Sequence, residues 1–473
     1  MAEDRRRPKL LTRFGPFFGA WCLALSLYCQ GTCAQPETPE SAPAESAPAE
    51  STPPSELPPG YRPPSDPSPI MQIEKELLTP DERKQIARQK GKFRESLRNG
   101  VLRSDEDKEI VRNGIRYALN ELTIPENRKN IHKFREDFTG SGGLSAAGSL
   151  LSKKQDVLSF RQELLQIAVE ETAKLFDNNL LVRVQAALIL GELNLVEDNQ
   201  KMKSMFEGEP IPIAFAPAAK PLCAVLVDPE QPVDVKIAAT QSLTRILRRG
   251  NPDVNQKREI ANAVIEELKR PKAHWWYQMR LAETLGYIDA PTLDLDRQPF
   301  IYLALDGILK DPNRPLRART AAAWALGRHP LDSSVNPKQL SQDLVVLGLD
   351  LAEWYNQNLQ QPQAKRLGLM LYLSFQAKDA QDKMADRNRK AGLLNSSTAA
   401  AAAKEAYAQI LPVVQDIWSG QPISPEKIQS LEKWLKSNGV VRKAPAPQKE
   451  TELEQAPESA QADRTDDVGG NGR

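Results

Sequence analysis

Histidine and cysteine most often hold metals or attack electrophilic carbon, and here they are few and far apart. His132, His274 and His329 lie in different parts of the chain, none with a His, Cys or carboxylate partner at metal-ligand spacing. Each is assigned a surface or capping role. Three of the four cysteines, Cys22, Cys29 and Cys33, fall in the first 33 residues, leaving Cys223 alone beyond them, which excludes a disulfide framework. Gly140-Ser-Gly-Gly-Leu-Ser-Ala-Ala-Gly148 has the glycines of a phosphate loop. However, Ser149-Leu150 stands where Lys-Ser/Thr is required, and no strand pattern precedes it. No Gly-x-Ser-x-Gly elbow occurs. The expectation is therefore a non-enzymatic protein with no catalytic residue, no cofactor and no metal.

The elements that could position any other chemistry are helices. Thr79-Pro80-Asp81-Glu82 combines an N-cap, a proline at the first helical position and a carboxylate three residues past the cap. Ser104-Asp105-Glu106-Asp107 repeats that logic, and Ile110, Val111, Ile115, Ala118, Leu119 and Leu122 trace one apolar face after it. Ser424-Pro425 opens a helix striped with Ile428, Leu431, Trp434 and Leu435 and closed by Asn438-Gly439. Alternating Val/Ile/Thr runs are scarce, so the fold class expected is all-α.

Self-similarity at a period of several tens of residues carries more information. The segments are Val182-Arg-Val-Gln-Ala-Ala-Leu-Ile-Leu-Gly-Glu-Leu193, Val235-Lys-Ile-Ala-Ala-Thr-Gln-Ser-Leu-Thr-Arg-Ile246, Tyr277-Gln-Met-Arg-Leu-Ala-Glu-Thr-Leu-Gly-Tyr-Ile288 and Ala318-Arg-Thr-Ala-Ala-Ala-Trp-Ala-Leu-Gly-Arg-His329. A degenerate fifth runs from Ala364 to Leu373. Their first residues are 53, 42, 41 and 46 positions apart. Each follows another helical stretch, with Asp-Pro-rich turns such as Asp228-Pro229 and Asp311-Pro312 between the two. A lone helix pair cannot bury both apolar faces, whereas stacked pairs share a continuous core.

On the Asp-Pro turn, the Val/Leu-Arg/Lys opening, the small pair (Ala186-Ala187, Ala322-Ala323) and the following Leu-Gly, residues 150–378 resemble the HEAT-repeat (armadillo-like) family of α-solenoids. The resemblance implies a right-handed α-solenoid of antiparallel helix pairs, flanked here by disordered tails. It also implies that the second helices line a concave side used to grip other proteins. The first spacing exceeds the family's usual period and leaves Glu197 to Pro217 as an inserted loop.

Two sets of positions recur in this frame. Arg183, Lys236, Arg319 and Lys365 form a ladder, expected to pair with Asp177, Asp228 and Asp311 of the turns or to cap carbonyls, holding units in register. On 182–193, Gln185 and Glu192 share a narrow polar strip, and Glu192 corresponds to Arg245, Tyr287 and Arg328. Gln185, Glu192, Arg245, Tyr287 and Arg328 are the expected groove residues for an unknown protein or peptide partner. Trp275-Trp276-Tyr277, Trp324 and Trp354-Tyr355 are expected to pack between repeats, with at least one of the 275–277 rings exposed.

Composition constrains compartment and partner. Arg5-Arg6-Arg7-Pro8-Lys9, the apolar stretch Phe14 to Tyr28 and Thr32-Cys33-Ala34 follow the grammar of a secretory signal cleaved after Ala34. The protein is thus expected to be exported: secreted, periplasmic or in the envelope. An uncleaved membrane tether through residues 14–34 is the alternative. Removing the five basic and two acidic residues of 1–34 from totals of 63 and 62 leaves 58 and 60. That even mixture carries no field for nucleic acid. Residues 35–69 hold twelve prolines and almost no large apolar side chain, a disordered linker. A charged helical region (70–139), a Gly-rich hinge (140–149), the repeats (150–378), a mobile charged segment (379–398) with Asn395-Ser396-Ser397 as a glycosylation acceptor, a C-terminal helical unit (399–440) and a disordered tail (441–473) complete the expected order. The charges of the helical region are expected as solvated faces laced with i,i+4 pairs. The functional alternatives are a lyase-like or other enzyme or accessory on similar repeats, and a membrane-tethered structural arm.

Overall fold

Helices begin where the sequence supplies caps. Thr79 accepts from the Glu82 amide at 3.3 Å while the Glu82 carboxylate accepts from the Thr79 amide at 2.8 Å, so two otherwise orphaned amides are satisfied reciprocally. Ser104 and Asp107 do the same at 3.1 and 3.0 Å. The computed structural model describes residues 73–100, 102–209, 211–270, 273–290, 299–331, 333–359, 361–376 and 392–442, all within the unit Asp66–Arg473. The expected signal segment with Ala34, the 35–69 linker, residues 379–391 of the charged segment and residues 443–473 of the tail lie outside the described residues.

The described residues are predominantly helical. The charged region holds α1 (Pro80–Arg88), α2 (Lys90–Asn99), α3 (Asp105–Asn120) and α4 (Ile131–Thr139). The first helix pair, α5 (Lys154–Ala173) and α6 (Leu180–Glu192), is followed by the short α7 (Gln200–Met205). Four more pairs come next: α8 (Ala219–Val227) with α9 (Val233–Arg249), α10 (Val254–Leu268) with α11 (Trp275–Leu285), α12 (Phe300–Lys310) with α13 (Leu316–Arg328), and α14 (Pro337–Gln357) with α15 (Ala364–Phe375). The chain then forms α16 (Ala400–Ser419) and α17 (Pro425–Ser437).

These helices pack in two rows. Second helices contact one another in the order α6, α9, α11, α13, α15, and first helices in the order α8, α10, α12, α14. Within each pair the two helices also touch, so every unit buries apolar surface against its own partner and both neighbours. One continuous core results, from Leu97 to Leu435. The alanines of α13 let neighbours approach on all sides: every residue from Ala318 to Arg328 is buried.

Several local expectations are corrected. The 197–217 insertion is not a plain loop. It contains α7 and β2 (Ile213–Ala214), which pairs antiparallel with β1 (Asn194–Val196) just before it, and Val157, Val196, Met202 and Phe206 make a small core of their own. The glycine-rich 140–149 segment is seated rather than open, because Leu144 and Ala147 are buried and their carbonyls accept from Arg161 Nη1 at 3.0 and 3.2 Å. Arg161 is fully buried; it also donates to the Asn194 and Leu195 carbonyls and to Glu197, so one guanidinium ties α5, this segment and the insertion together. The charges of 70–139 do not run mainly along single helices: Lys108, Arg112 and Arg116 on α3 meet Glu163, Glu170 and Glu171 on α5. Arg442, assigned to the tail, grips Glu353 with both nitrogens at 2.6 Å and reaches Asp350. At the end of the 379–398 segment Leu393 is buried, and the Gly392 amide donates to the Gly327 carbonyl at 2.8 Å; Asn395 is exposed.

Candidate partner-binding face

One side of the second-helix row is left incompletely covered. On α6 it presents Leu181, Val184, Gln185, Leu188 and Glu192, a spacing of three and four that keeps them on one face. Of the same positions α9 carries Ile237, Gln241 and Arg245, and α11 Trp276, Arg280 and Glu283. Leu181 and Gln241 are exposed and the others half-buried. The row thus offers an apolar strip around Val184, Leu188 and Ile237 with amides and charges beside it. On α11 the charges are already organised: Glu283 accepts from Arg280 and from Arg366 of α15, both at 2.8 Å. Arg280 in turn lies over the Trp276 ring at 5.2 Å.

The expected groove residues are brought to this side in two groups. Glu192 accepts from Thr139 at 3.1 Å and pairs with Arg135 at 3.3 Å, both from α4. Burial pushes its carboxyl above the usual range, against the pull of Arg135, the Thr139 hydrogen bond and Arg245. Arg245 donates to the Gly191 carbonyl and, at 2.6 Å, to Asn194, satisfying the end of α6; burial lowers its pKa, as does Arg249, while Glu192 and Glu197 oppose the shift. The second group is aromatic: Tyr287 meets Trp324 edge-on at 5.4 Å, and Arg328 lies over both rings at 5.1 and 4.9 Å. Arg328 is only 3% exposed, so its expected role as a groove residue is corrected. Its guanidinium is taken up by the Tyr287 and Trp324 rings, on a helix whose residues from Ala318 to Arg328 are all buried. Gln185 lies two turns before Glu192, half-buried, its Oε1 without a partner among the described residues.

The ladder residues join units; Arg183 and Arg319 cap carbonyls, one of the two expected roles, and no ladder cation hydrogen-bonds a turn aspartate among the described residues, although Asp177 and Asp228 favour the charge of Arg183. Arg183 donates to the Asn178 carbonyl at 2.5 Å and to Gln231 at 3.1 Å; Lys236 pairs with Glu267 at 2.9 Å; Arg319 donates to the Leu309 carbonyl at 3.0 Å and pairs with Asp350 at 2.8 Å. Gln231, Glu267 and Asp350 all belong to the next unit along. Asp177 instead pairs with Lys75, and Asp228 accepts from the Glu230 amide within its own turn. Lys365 is exposed. Sequence reasoning missed Gln278 at the same repeat position, which accepts from Arg314 of the next turn at 2.8 Å, reversing the polarity of the Arg183–Gln231 bond. It also missed Glu267 and Asp350, although each stands 31 residues after its cation, an interval that would have found them.

The other singled-out residues have structural surroundings. His132 is exposed, His274 caps α11 by accepting from the Trp276 amide at 3.3 Å, and His329 is buried against the Ile288 carbonyl at 3.2 Å. Cys223 is buried, which pushes its thiol pKa well up and leaves it unreactive. Tyr277 and Tyr355 are buried; Trp275 is half-buried under Arg317 at 3.9 Å. Among the described residues no three His, Cys, Asp or Glu side chains gather as metal ligands, and no helix is long and apolar enough to cross a membrane. No family model matches the chain, and no curated protein matches it.

Proposed function

We propose that this chain is an exported, HEAT-like protein, a right-handed α-solenoid of antiparallel helix pairs, whose second helices bind a protein or peptide as a non-enzymatic interaction scaffold. The observation that supports it is the row α6, α9, α11, whose shared side keeps an apolar strip half-covered between polar residues. Interfaces are built in that manner, apolar at the centre and polar at the rim. Gln185, Glu192, Arg245 and Tyr287 border that strip, and Arg328 stiffens it. Export rests on the basic, apolar and small-residue order of positions 5–34.

The test is capture of partners from envelope and extracellular fractions by the full chain, compared with a Leu181→Glu/Gln241→Glu variant. Both side chains are exposed, so the variant's melting temperature should stay within about 1 °C of wild type. A stoichiometric protein lost from the variant is the expected result. Retention of the same proteins by the variant, or a small molecule as the only retained species, overturns the reading.

A further inference from the structure

A cleft lies in the charged N-terminal region, apart from the second-helix face. Helices α2 and α4 each pack on α3 but scarcely on each other, so together they form a V over α3. The space between them is a cleft of about 530 Å³, within the range of ligand sites. Its walls are apolar and aromatic: Phe93 and Leu97 from α2, Tyr117 from α3, Phe134 and Phe138 from α4. Gly114 makes the floor, and the Phe93 ring lies where its side chain would be. Phe93, Tyr117 and Phe134 remain only half-buried, an arrangement that resembles a helix bundle with one member missing.

The occupant's charge follows from the lips. Lys90 and Arg94 of α2 are exposed at the mouth. Lys90 lies 5.6 Å from the Tyr117 ring, and neither cation has an ion pair among the described residues. Glu121, at the same mouth, is already held by Arg83 at 3.1 Å and Asn127 at 3.0 Å, so it does not neutralise them. Asp137 is exposed on the opposite lip. The cleft is open along its edge: at Gly142 even an added Cβ would meet nothing within 4 Å. An open trough with two unlike lips fits a helix lying lengthwise better than an enclosed small molecule. The ten residues of α2 set its length at about 15 Å, close to three helical turns.

We propose that the cleft between α2 and α4 binds an amphipathic helix of a partner protein, its apolar stripe on Phe93, Tyr117 and Phe134 and its acidic flank against Lys90 and Arg94. This site is separate from the second-helix face and stands or falls independently of it. A display library of amphipathic helices about 18 residues long, panned on the full chain, tests it. Enriched sequences should carry acidic residues along one flank. A synthetic copy should bind Lys90→Glu/Arg94→Glu roughly tenfold more weakly and recover when its acidic flank is changed to lysine. Phe134→Ala should weaken binding of both forms, and the charge variant should melt like wild type. The proposal is overturned by no enrichment over a mock selection, by enriched helices lacking an acidic flank, by equal affinity for the charge variant, or by dodecanoate binding in the cleft where peptides do not.

Discussion

Glu192 sits at the edge of the second-helix face with its charge opposed by burial and favoured by Arg135, Thr139 and Arg245, and burial prevails. A carboxyl whose folded pKa lies above its unfolded value of about 4.3 contributes stability that is complete below that value and is lost as pH rises through the folded pKa. Glu192→Gln keeps the shape and most hydrogen bonds while removing the charge. Its melting temperature relative to wild type should therefore climb as pH rises above about 4.3; a difference that falls instead in thermal melts would show that the ion pair outweighs burial, and a flat one that the two cancel. The same comparison separates what was legible at this scale from what was not. That Glu192 and Arg245 share a repeat position could be counted off the sequence, and their adjacency followed. The burial of Arg328 at the same position could not, because it depends on how far small alanines let α11 and α15 close over α13.

At the scale of elements, the Leu-Gly pair that helped define the repeat has a physical cause. Gly191 faces Ser242 of α9, Gly286 faces Trp324 and Ala325 of α13, and Gly327 faces the Ser374 backbone of α15. Each glycine marks where one second helix touches the next. Thr244 takes that place on α9, and its hydroxyl meets Thr284 at 2.7 Å. Gly327→Ala would press a methyl against main chain that cannot rotate away, and it should cost about 1–3 kcal/mol. Gly307, in the exposed interior of α12, has nothing within 4 Å of an added Cβ, so Gly307→Ala should stabilise by about 0.5–1 kcal/mol. Urea unfolding of the two variants checks the contrast, and equal effects would refute the contact assignment. The helix pairs were readable because their apolar periods and turn residues agree, and caps such as Thr79 marked their starts. The small β pair was not, since two- and three-residue strands leave no period to detect.

Across the whole molecule, stability depends on how one unit is fastened to the next. Two kinds of fastening alternate along the row. Units one and three use a Gln–Arg bond to the following turn, with donor and acceptor exchanged between them. Units two and four use a buried cation reaching a carboxylate on the following first helix, Lys236 to Glu267 and Arg319 to Asp350. Removing the cation leaves Glu267 to Arg270 and Tyr277, and Asp350 to Arg442, so each loss should fall below the about 3–5 kcal/mol of a fully stranded buried charge. If units touch only their neighbours, that loss should stay local. Lys236→Met should therefore raise amide exchange mainly in α9, α10 and α11. Arg319→Met should raise it in α13, α14 and α17, the last because Asp350 also holds Arg442 at the end of the described chain. Hydrogen exchange read by mass spectrometry distinguishes the two patterns. Identical, chain-wide increases in both variants would mean that the rows unfold as one cooperative body, and the second-helix face would then lack the independent local flexibility that a stacked array allows.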